Sequence, residues 1–401
     1  MVYLFNSAFW INLGSLSVTG FSFLLYLAYA NFLPKEIYGT YQYLISIGAI
    51  VGAFTLTGMN SAISRSIARG FEGSFRKSIG IQLRWGMLPL LGAWAAGAYY
   101  FANGNLTLGY GLVLLGLFVP INNALNTYGV FPGARKDFKN AFLLNLFNNV
   151  LYYPALIIAA YFSKNALILL AVNLVAQSII LIFLYRATLR IYSPNTEVDP
   201  ETMRYGAHLS LMGLIGTIAG QLDSVLAFHF LGAAPLALYS FATGIPDRIA
   251  ALTKFLQLAA FPKMATQDND SIRKSILPKV GWAVAGSAII AGAYMVIANI
   301  FFATFFPQYI GAVPYSIAYS LIIIPWASGI FTTALTANRS VRALYFFNII
   351  SPILQIISLF VGVIYWGLWG LVFARLFLAL VQFGLSAFLF FVPDHDETRA
   401  S

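Results

Sequence analysis

Apolar stretches of about twenty residues, the length a helix needs to cross a bilayer, follow one another along the whole chain. The breaks between them alternate in kind: a long basic loop, then a short and almost uncharged turn. Strict polar/apolar alternation, the mark of a transmembrane strand, is lacking, so helices are predicted. They fall near residues 8–33, 38–60, 79–101, 109–131, 141–162 and 165–186. A second set falls near 205–231, 236–258, 280–303, 312–337, 344–365 and 368–392. The pattern predicts an all-α, polytopic membrane protein of about 12 transmembrane helices.

Composition supports that environment. With 60% hydrophobic and 9% charged residues and a mean hydropathy of +0.79, the chain has too few polar groups to cover a water-facing surface. The net charge of +10 is not spread evenly. One set of breaks carries Arg65, Arg69, Arg76 and Lys77, then Arg135, Lys136 and Lys139, then Arg186, Arg190 and Arg204, and it continues to Lys263, Arg273, Lys274, Lys279, Arg339 and Arg342. The alternate set carries only Lys35 and Lys164. Short loops that keep positive charge stay in the cytoplasm, so an even number of spans predicts both termini inside the cell and a location in the cell (inner, cytoplasmic) membrane. The basic balance is then the inner face of a membrane protein and implies no nucleic acid. The first apolar run exceeds a signal-peptide core and lacks a basic leader and a cleavage site, so it is expected to be retained.

The halves repeat. Shifted by 198 positions without gaps, 11 of the 55 residues from 11 to 65 are identical, among them Leu13/Leu211, Thr19/Thr217, Phe32/Phe230, Leu33/Leu231, Tyr41/Tyr239 and Thr55/Thr253. The basic exit at Arg65 and Lys263 keeps the same register. Six spans per half place the repeats in the same direction, as parallel repeats about an axis along the membrane normal. Two six-helix bundles are expected, 1–195 and 203–401, joined by the polar, proline-containing stretch Ser193 to Glu201 and enclosing a central cavity. Rocking one bundle on the other would give alternating access.

Several segments resemble a known family. Phe32-Leu33-Pro34-Lys35-Glu36-Ile37-Tyr38-Gly39-Thr40-Tyr41 resembles the first outer turn of polysaccharide biosynthesis proteins, the Wzx-type lipid-linked oligosaccharide flippases of the multidrug/oligosaccharidyl-lipid/polysaccharide exporter superfamily. Leu222-Asp223-Ser224 through Phe230-Leu231-Gly232, Leu238-Tyr239-Ser240, and Phe261-Pro262-Lys263 are similar to that family's second half, as is Pro307-Gln308-Tyr309 with Ala312-Val313-Pro314. Pro34 stands where glycine is usual, and Ser224 where a basic residue often follows the aspartate. The resemblance implies movement of an undecaprenyl-diphosphate-linked oligosaccharide from the inner to the outer leaflet in surface polysaccharide (O-antigen) biosynthesis, with no chemistry on the cargo and no cofactor. Its partners would be the polyprenyl-diphosphate glycan, membrane lipids and a coupling proton or cation.

A diphosphate in a lipid-facing protein calls for cations, and charge inside a span is costly, at least ~2.5–3.5 kcal/mol per group. Arg248, Asp247, Asp223 and Arg375 all lie inside predicted spans. Asp223 with Arg248 or Arg375 reads either as an ion pair that locks helix packing, or as a division of labour with the arginines on the diphosphate and the aspartate on a coupling ion. Arg84 and Lys254 lie about a turn inside their cytoplasmic ends, as snorkelling anchors or as residues that catch substrate. His229 and His208 are packing groups or proton relays. Amides at Asn122, Asn123 and Asn126, and at Asn145, Asn148 and Asn149, form stripes that glue helices or line a sugar path. Trp10, Trp326, Trp366 and Trp369 read as interface anchors.

Enzymatic readings find little to stand on. No Cys is present, the three His are scattered, and no Walker lysine or His-Glu-x-x-His motif occurs. Asp268-Asn269-Asp270 reads as a solvated loop rather than a metal site. The alternatives are an ion-coupled small-molecule or multidrug exporter of the same superfamily and, further off, a membrane enzyme of glycan assembly.

Overall fold

The structure, a computed structural model, describes residues 2–265, 269–325, 329, 331 and 341–391, with side chains characterised in all of these except 2–8, 252–275, 341–346 and 348. Every element among the described residues is helical. The fold is the all-helical one expected, and seven segments, including Leu106–Ala134, Ala166–Tyr192 and Ile349–Phe391, are long and apolar enough to cross a membrane on length and composition alone. Spans that carry charges or breaks, described below, complete the set of about twelve. The chain divides into two compact units, Met1–Gln221 and Leu222–Ser401.

The first unit comprises α1 (Val2–Phe32), α2 (Lys35–Ala53), α3 (Met59–Ala68), α4 (Gly73–Trp85), α5 (Met87–Ala102), α6 (Leu106–Leu125), α7 (Val130–Ala134), α8 (Phe138–Phe162), α9 (Ala166–Tyr192) and most of α10 (Thr202–Leu226). The predicted third span is two helices, α4 and α5, broken at Gly86. A Cβ there would meet Cβ of Pro120 at 2.6 Å, so the missing side chain lets the junction press on α6. The predicted fourth span likewise ends in a 3₁₀ turn, Asn126–Gly129, before α7. Asn105, Asp137 and Asn165 start α6, α8 and α9 by accepting backbone N–H bonds, which satisfies donors that a helix start leaves open.

The polar stretch after α9 is fastened to this unit. Glu72, 6% exposed, accepts from Nε of Arg135 at 2.6 Å and from the Asn195 N–H at 3.3 Å, while Oδ1 of Asn195 accepts from the N–H groups of Glu72 and Gly73. Asp199 pairs with Arg69 at 2.9 Å and donates its own N–H to Ser74. Farther on, Oγ of Ser210 accepts from the Gly58 N–H at 2.9 Å. These bonds explain why the compact unit runs on to Gln221, past the stretch at 193–203 where the sequence suggests a linker.

The second unit holds the end of α10, a π-helical turn (Ala227–Leu231), α11 (Ala233–Ala265), α12 (Asn269–Phe305), a 3₁₀ segment (Pro307–Ala312), α13 (Val313–Tyr319), a further 3₁₀ turn (Ser320–Ile323) and α14 (Val341–Phe391). Gly367, at φ +56, breaks α14 into two passes, matching the predicted spans at 344–365 and 368–392. Phe241, Phe302, Phe306 and Tyr309 are fully buried, with the rings of Phe241 and Tyr309 3.8 Å apart between centroids. Large apolar side chains on the outer faces, such as Phe162, Trp282, Ile289 and Val296, are exposed as lipid-facing residues are. Trp366 and Trp369 flank the Gly367 turn at helix ends, and Trp326 lies outside the described residues.

Candidate functional site

Two tight turns set the depth of the charges in the second unit. Gly232, at φ +98, reverses the chain between α10 and α11, and Gly367 does so within α14. The two turns are neighbours, since a Cβ on Gly367 would lie 3.7 Å from Cδ2 of Leu231. Asp223 lies nine residues before the first turn and Arg375 eight after the second, so helix rise carries both about 12–14 Å inward from a common level. They meet there, with Nε of Arg375 3.5 Å from Oδ2 of Asp223. That is an ion-pair distance but a poor hydrogen bond, and the Arg375 Nε, which is buried, has no hydrogen-bond partner among the described residues. Tyr239, seven residues past Gly232, reaches the same level and donates to Oδ2 of Asp223 at 3.0 Å.

A second acid lies deeper. Asp247 accepts a hydrogen bond at 2.9 Å from the hydroxyl of Tyr319, the last residue of α13. Arg375 interacts electrostatically with Asp223 and Asp247 and with both tyrosines, and Arg248 also acts on Asp247. The Arg375 side chain keeps 23% of its surface exposed and that of Asp223 9%. A charge so placed is largely shielded from water. Arg248 is half-buried and bonds along its own helix, with Nη1 3.5 Å from the Gly244 carbonyl. Adjacent residues on a helix point about 100° apart, which is why Asp247 turns to Tyr319 while Arg248 does not.

The remaining predicted residues are dispersed. Arg84 is exposed in the last turn of α4, and His229 is exposed in the π-helical turn with its ring edge-on to Phe230. Asn145 accepts from the Tyr128 hydroxyl at 2.9 Å, and Asn149, buried, lies 3.5 Å from Oγ of Ser17. Asn122 binds Ser178 and the Leu174 carbonyl, whereas Asn123 binds Thr55 and the Gly52 carbonyl, so these amides join α6 to α9 and α2. The side chain of Lys254 lies outside the described residues, as do Asp268 and His395. Tyr239 and Tyr319 were not among the predicted site residues. The identity of Tyr41 with Tyr239 in the repeat was the signal that could have found the first of them.

The family model described as polysaccharide biosynthesis protein matches residues 28–280, well over half of the chain and all of α10 and α11. The chain belongs to the polysaccharide biosynthesis protein family. No curated protein sequence matches it. Among solved structures, this polysaccharide biosynthesis protein is similar to an inward-facing multidrug resistance MATE family transporter of the MOP superfamily, at 16% identity, TM-score 0.66, and 94% and 96% coverage of the two chains. It is also similar to a Vibrio cholerae MATE transporter in the bent form (14% identity, TM-score 0.61, 97% and 95%). A third likeness is to a MOP superfamily transporter from Pyrococcus furiosus, whose structure is described as having a binding pocket of reverse polarity (16%, 0.60, 97% and 95%). At such identities the likeness establishes the fold, that of MOP superfamily transporters.

Proposed function

We propose that this protein is a flippase that moves a polyprenyl-diphosphate-linked oligosaccharide from the inner to the outer leaflet of the cytoplasmic membrane by alternating access, with both termini in the cytoplasm. Family membership supports the cargo class, and the fold supports transport rather than catalysis. The observation that carries the mechanism is the buried Arg375 guanidinium, held by Asp223 at 3.5 Å with no hydrogen bond on Nε among the described residues. A diphosphate offers such a group the charge-assisted, two-pronged hydrogen bonds that this carboxylate does not complete. Binding of cargo at Arg375, with Arg248 as second cation, then frees Asp223, which is too buried to remain charged alone. A proton or cation taken up by Asp223, with Asp247 as the neighbouring acceptor, neutralises it. Release of that ion on the other side restores the ion pair and expels the anion. Coupling thus follows from competition for one guanidinium.

The test is translocation of a defined polyprenyl-diphosphate glycan in reconstituted vesicles. Wild-type protein is expected to expose the glycan on the opposite leaflet, and Arg375→Gln to abolish this while still inserting. Failure of the wild type to move the glycolipid, together with ion-driven export of a small organic cation, would replace the flippase reading by that of an exporter.

A further inference from the structure

Three cations near the basic end of the first unit are committed. Arg69 holds Asp199, Arg135 holds Glu72, and Arg65 lies over the ring of Tyr205. Lys77 and Arg84 on α4 form no hydrogen bond or ion pair among the described residues, and both are exposed. Arg76, Gly80 and Arg84 follow one another at intervals of four, so they share one face of the helix, with Lys77 beside them. Gly80 has open space where a side chain would stand, which leaves the face between the two arginines unobstructed. The opposite face, Phe75, Ser78, Ile79 and Gln82, is buried in the unit.

One turn beyond Arg84, on the same face, begins a cleft of about 320 Å³. It is lined by Val51 of α2, by Phe54 just past its end, and by Trp85, Leu88, Pro89 and Gly92 of α4 and α5, without a charged group. Trp85 and Leu88 remain about half exposed or more at its rim. From Arg84 to Ala102, the end of α5, helix rise is about 27 Å, close to the hydrocarbon thickness of a bilayer. Arg84 therefore stands at the level of the lipid phosphates, and the cleft lies just below it among the acyl chains. Free cations above an uncharged, chain-wide cleft complement a molecule with an anionic head and an apolar tail.

We propose that the junction of α4 and α5 is a binding site for an anionic phospholipid, with the phosphate on Arg84 and Lys77 and one acyl chain in the cleft between α2 and α5. The assignment gives Arg84 to a resident lipid rather than to the transported cargo, and it stands whether or not the flippase reading does. Juxtamembrane cations gain about 1 kcal/mol each from anionic headgroups, so each one removed weakens binding roughly fivefold. The cleft can be closed independently, because Gly92 lines it and a Cβ there meets nothing within 4 Å, which leaves room for a larger side chain to enter the cleft.

The experiment titrates the full-length protein in detergent with phosphatidylglycerol, phosphatidylcholine or an unglycosylated polyprenyl diphosphate, and counts bound lipid by native mass spectrometry. Wild type is expected to retain phosphatidylglycerol in preference to phosphatidylcholine. Arg84→Gln should lose that preference about fivefold and Arg84→Gln/Lys77→Gln about 25-fold, while Gly92→Phe, with every cation intact, should lose retention as well. Gly92→Leu fills the same space if the phenylalanine lowers yield. Retention unchanged in the arginine variants, or lost in them but untouched by filling the cleft, overturns the site, the latter result reducing it to diffuse surface charge. Displacement of phosphatidylglycerol by the polyprenyl diphosphate at equal concentration overturns the choice of ligand and makes this the cargo's own entry point.

Discussion

Tyr41 and Tyr239 stand 198 residues apart at the same place in the two repeats, each seven residues into the helix that follows the first turn of its half, yet the groups around them differ in kind. In the first unit the Tyr41 hydroxyl accepts from Nδ2 of Asn173 at 2.6 Å and from the Tyr29 hydroxyl at 3.3 Å, all of it neutral. In the second, Tyr239 donates to a carboxylate that faces an arginine. A neutral network closes on itself and needs nothing from outside, so it holds helices together. A charged one stays balanced only while both signs are present, so any ligand that takes one sign forces the other to find a new partner. In the mechanism proposed above, the same scaffold position is a rivet in one half and an exchange point in the other.

The sharpest way to break the contrast is Arg375→Leu, which strands the buried carboxylate of Asp223. The expected cost is about 3–5 kcal/mol, read as a lowered unfolding midpoint in detergent, and Asp223→Asn/Arg375→Leu should recover most of it. If the single variant is as stable as wild type, the pair is not the balanced unit described. Next comes Tyr239→Phe, which removes a hydrogen bond to a charged group, for about 1.5–3 kcal/mol, and should alter the ion dependence of transport in vesicles. Its repeat counterpart, Tyr41→Phe, removes bonds between neutral groups and should cost about 0.5–1.5 kcal/mol, with transport per folded molecule unchanged. Equal effects of the two on coupling would erase the distinction.

The smallest effect belongs to the first unit's basic rim. Burial pushes the carboxyl of Asp137 up, but the side chain and N–H of Asn140 and the hydroxyl of Tyr192 outweigh it and hold the group below its ordinary value. A carboxylate depressed in the folded state adds stability that is complete above the unfolded value near ~3.9 and fades as the pH falls through the lower folded one. Asp137→Asn should therefore lower stability slightly at neutral pH and flatten the acid limb of the unfolding curve below about pH 4, so that variant and wild type converge in acid, and an identical acid limb would remove the role.

The fold was legible because hydropathy over twenty residues is a property of the sequence alone, as were the charges at 223, 247, 248 and 375, which stand out against an apolar background. Their pairing was legible in part: the sequence offers Arg248 or Arg375 as the partner of Asp223, and the structure joins it to Arg375. The tyrosines were hidden for a chemical reason. With 23 tyrosines in the chain, a phenol in an apolar run reads as an apolar ring, and only its neighbour in space reveals which hydroxyl serves a carboxylate. Glu72 and Asp199 were hidden for the opposite reason, being acids in polar loops whose partners lie 63 and 130 residues away. The break at Gly86 left no mark in hydropathy, since it arises from contact with Pro120.

The two passes of α14 touch backbone to backbone: a methyl group on Gly370 would fall 1.8 Å from the carbonyl oxygen of Gly362. No adjustable spacer separates these strokes of the hairpin, so the height at which Arg375 hangs, five residues on, is gauged by main-chain atoms that no side-chain rotation can reset. Gly370→Ala must wedge the strokes apart and tilt the guanidinium away from its acid. A single carbon atom, distant from every charge, would thus mistune the whole exchange, as a shim under one leg unsettles a balance.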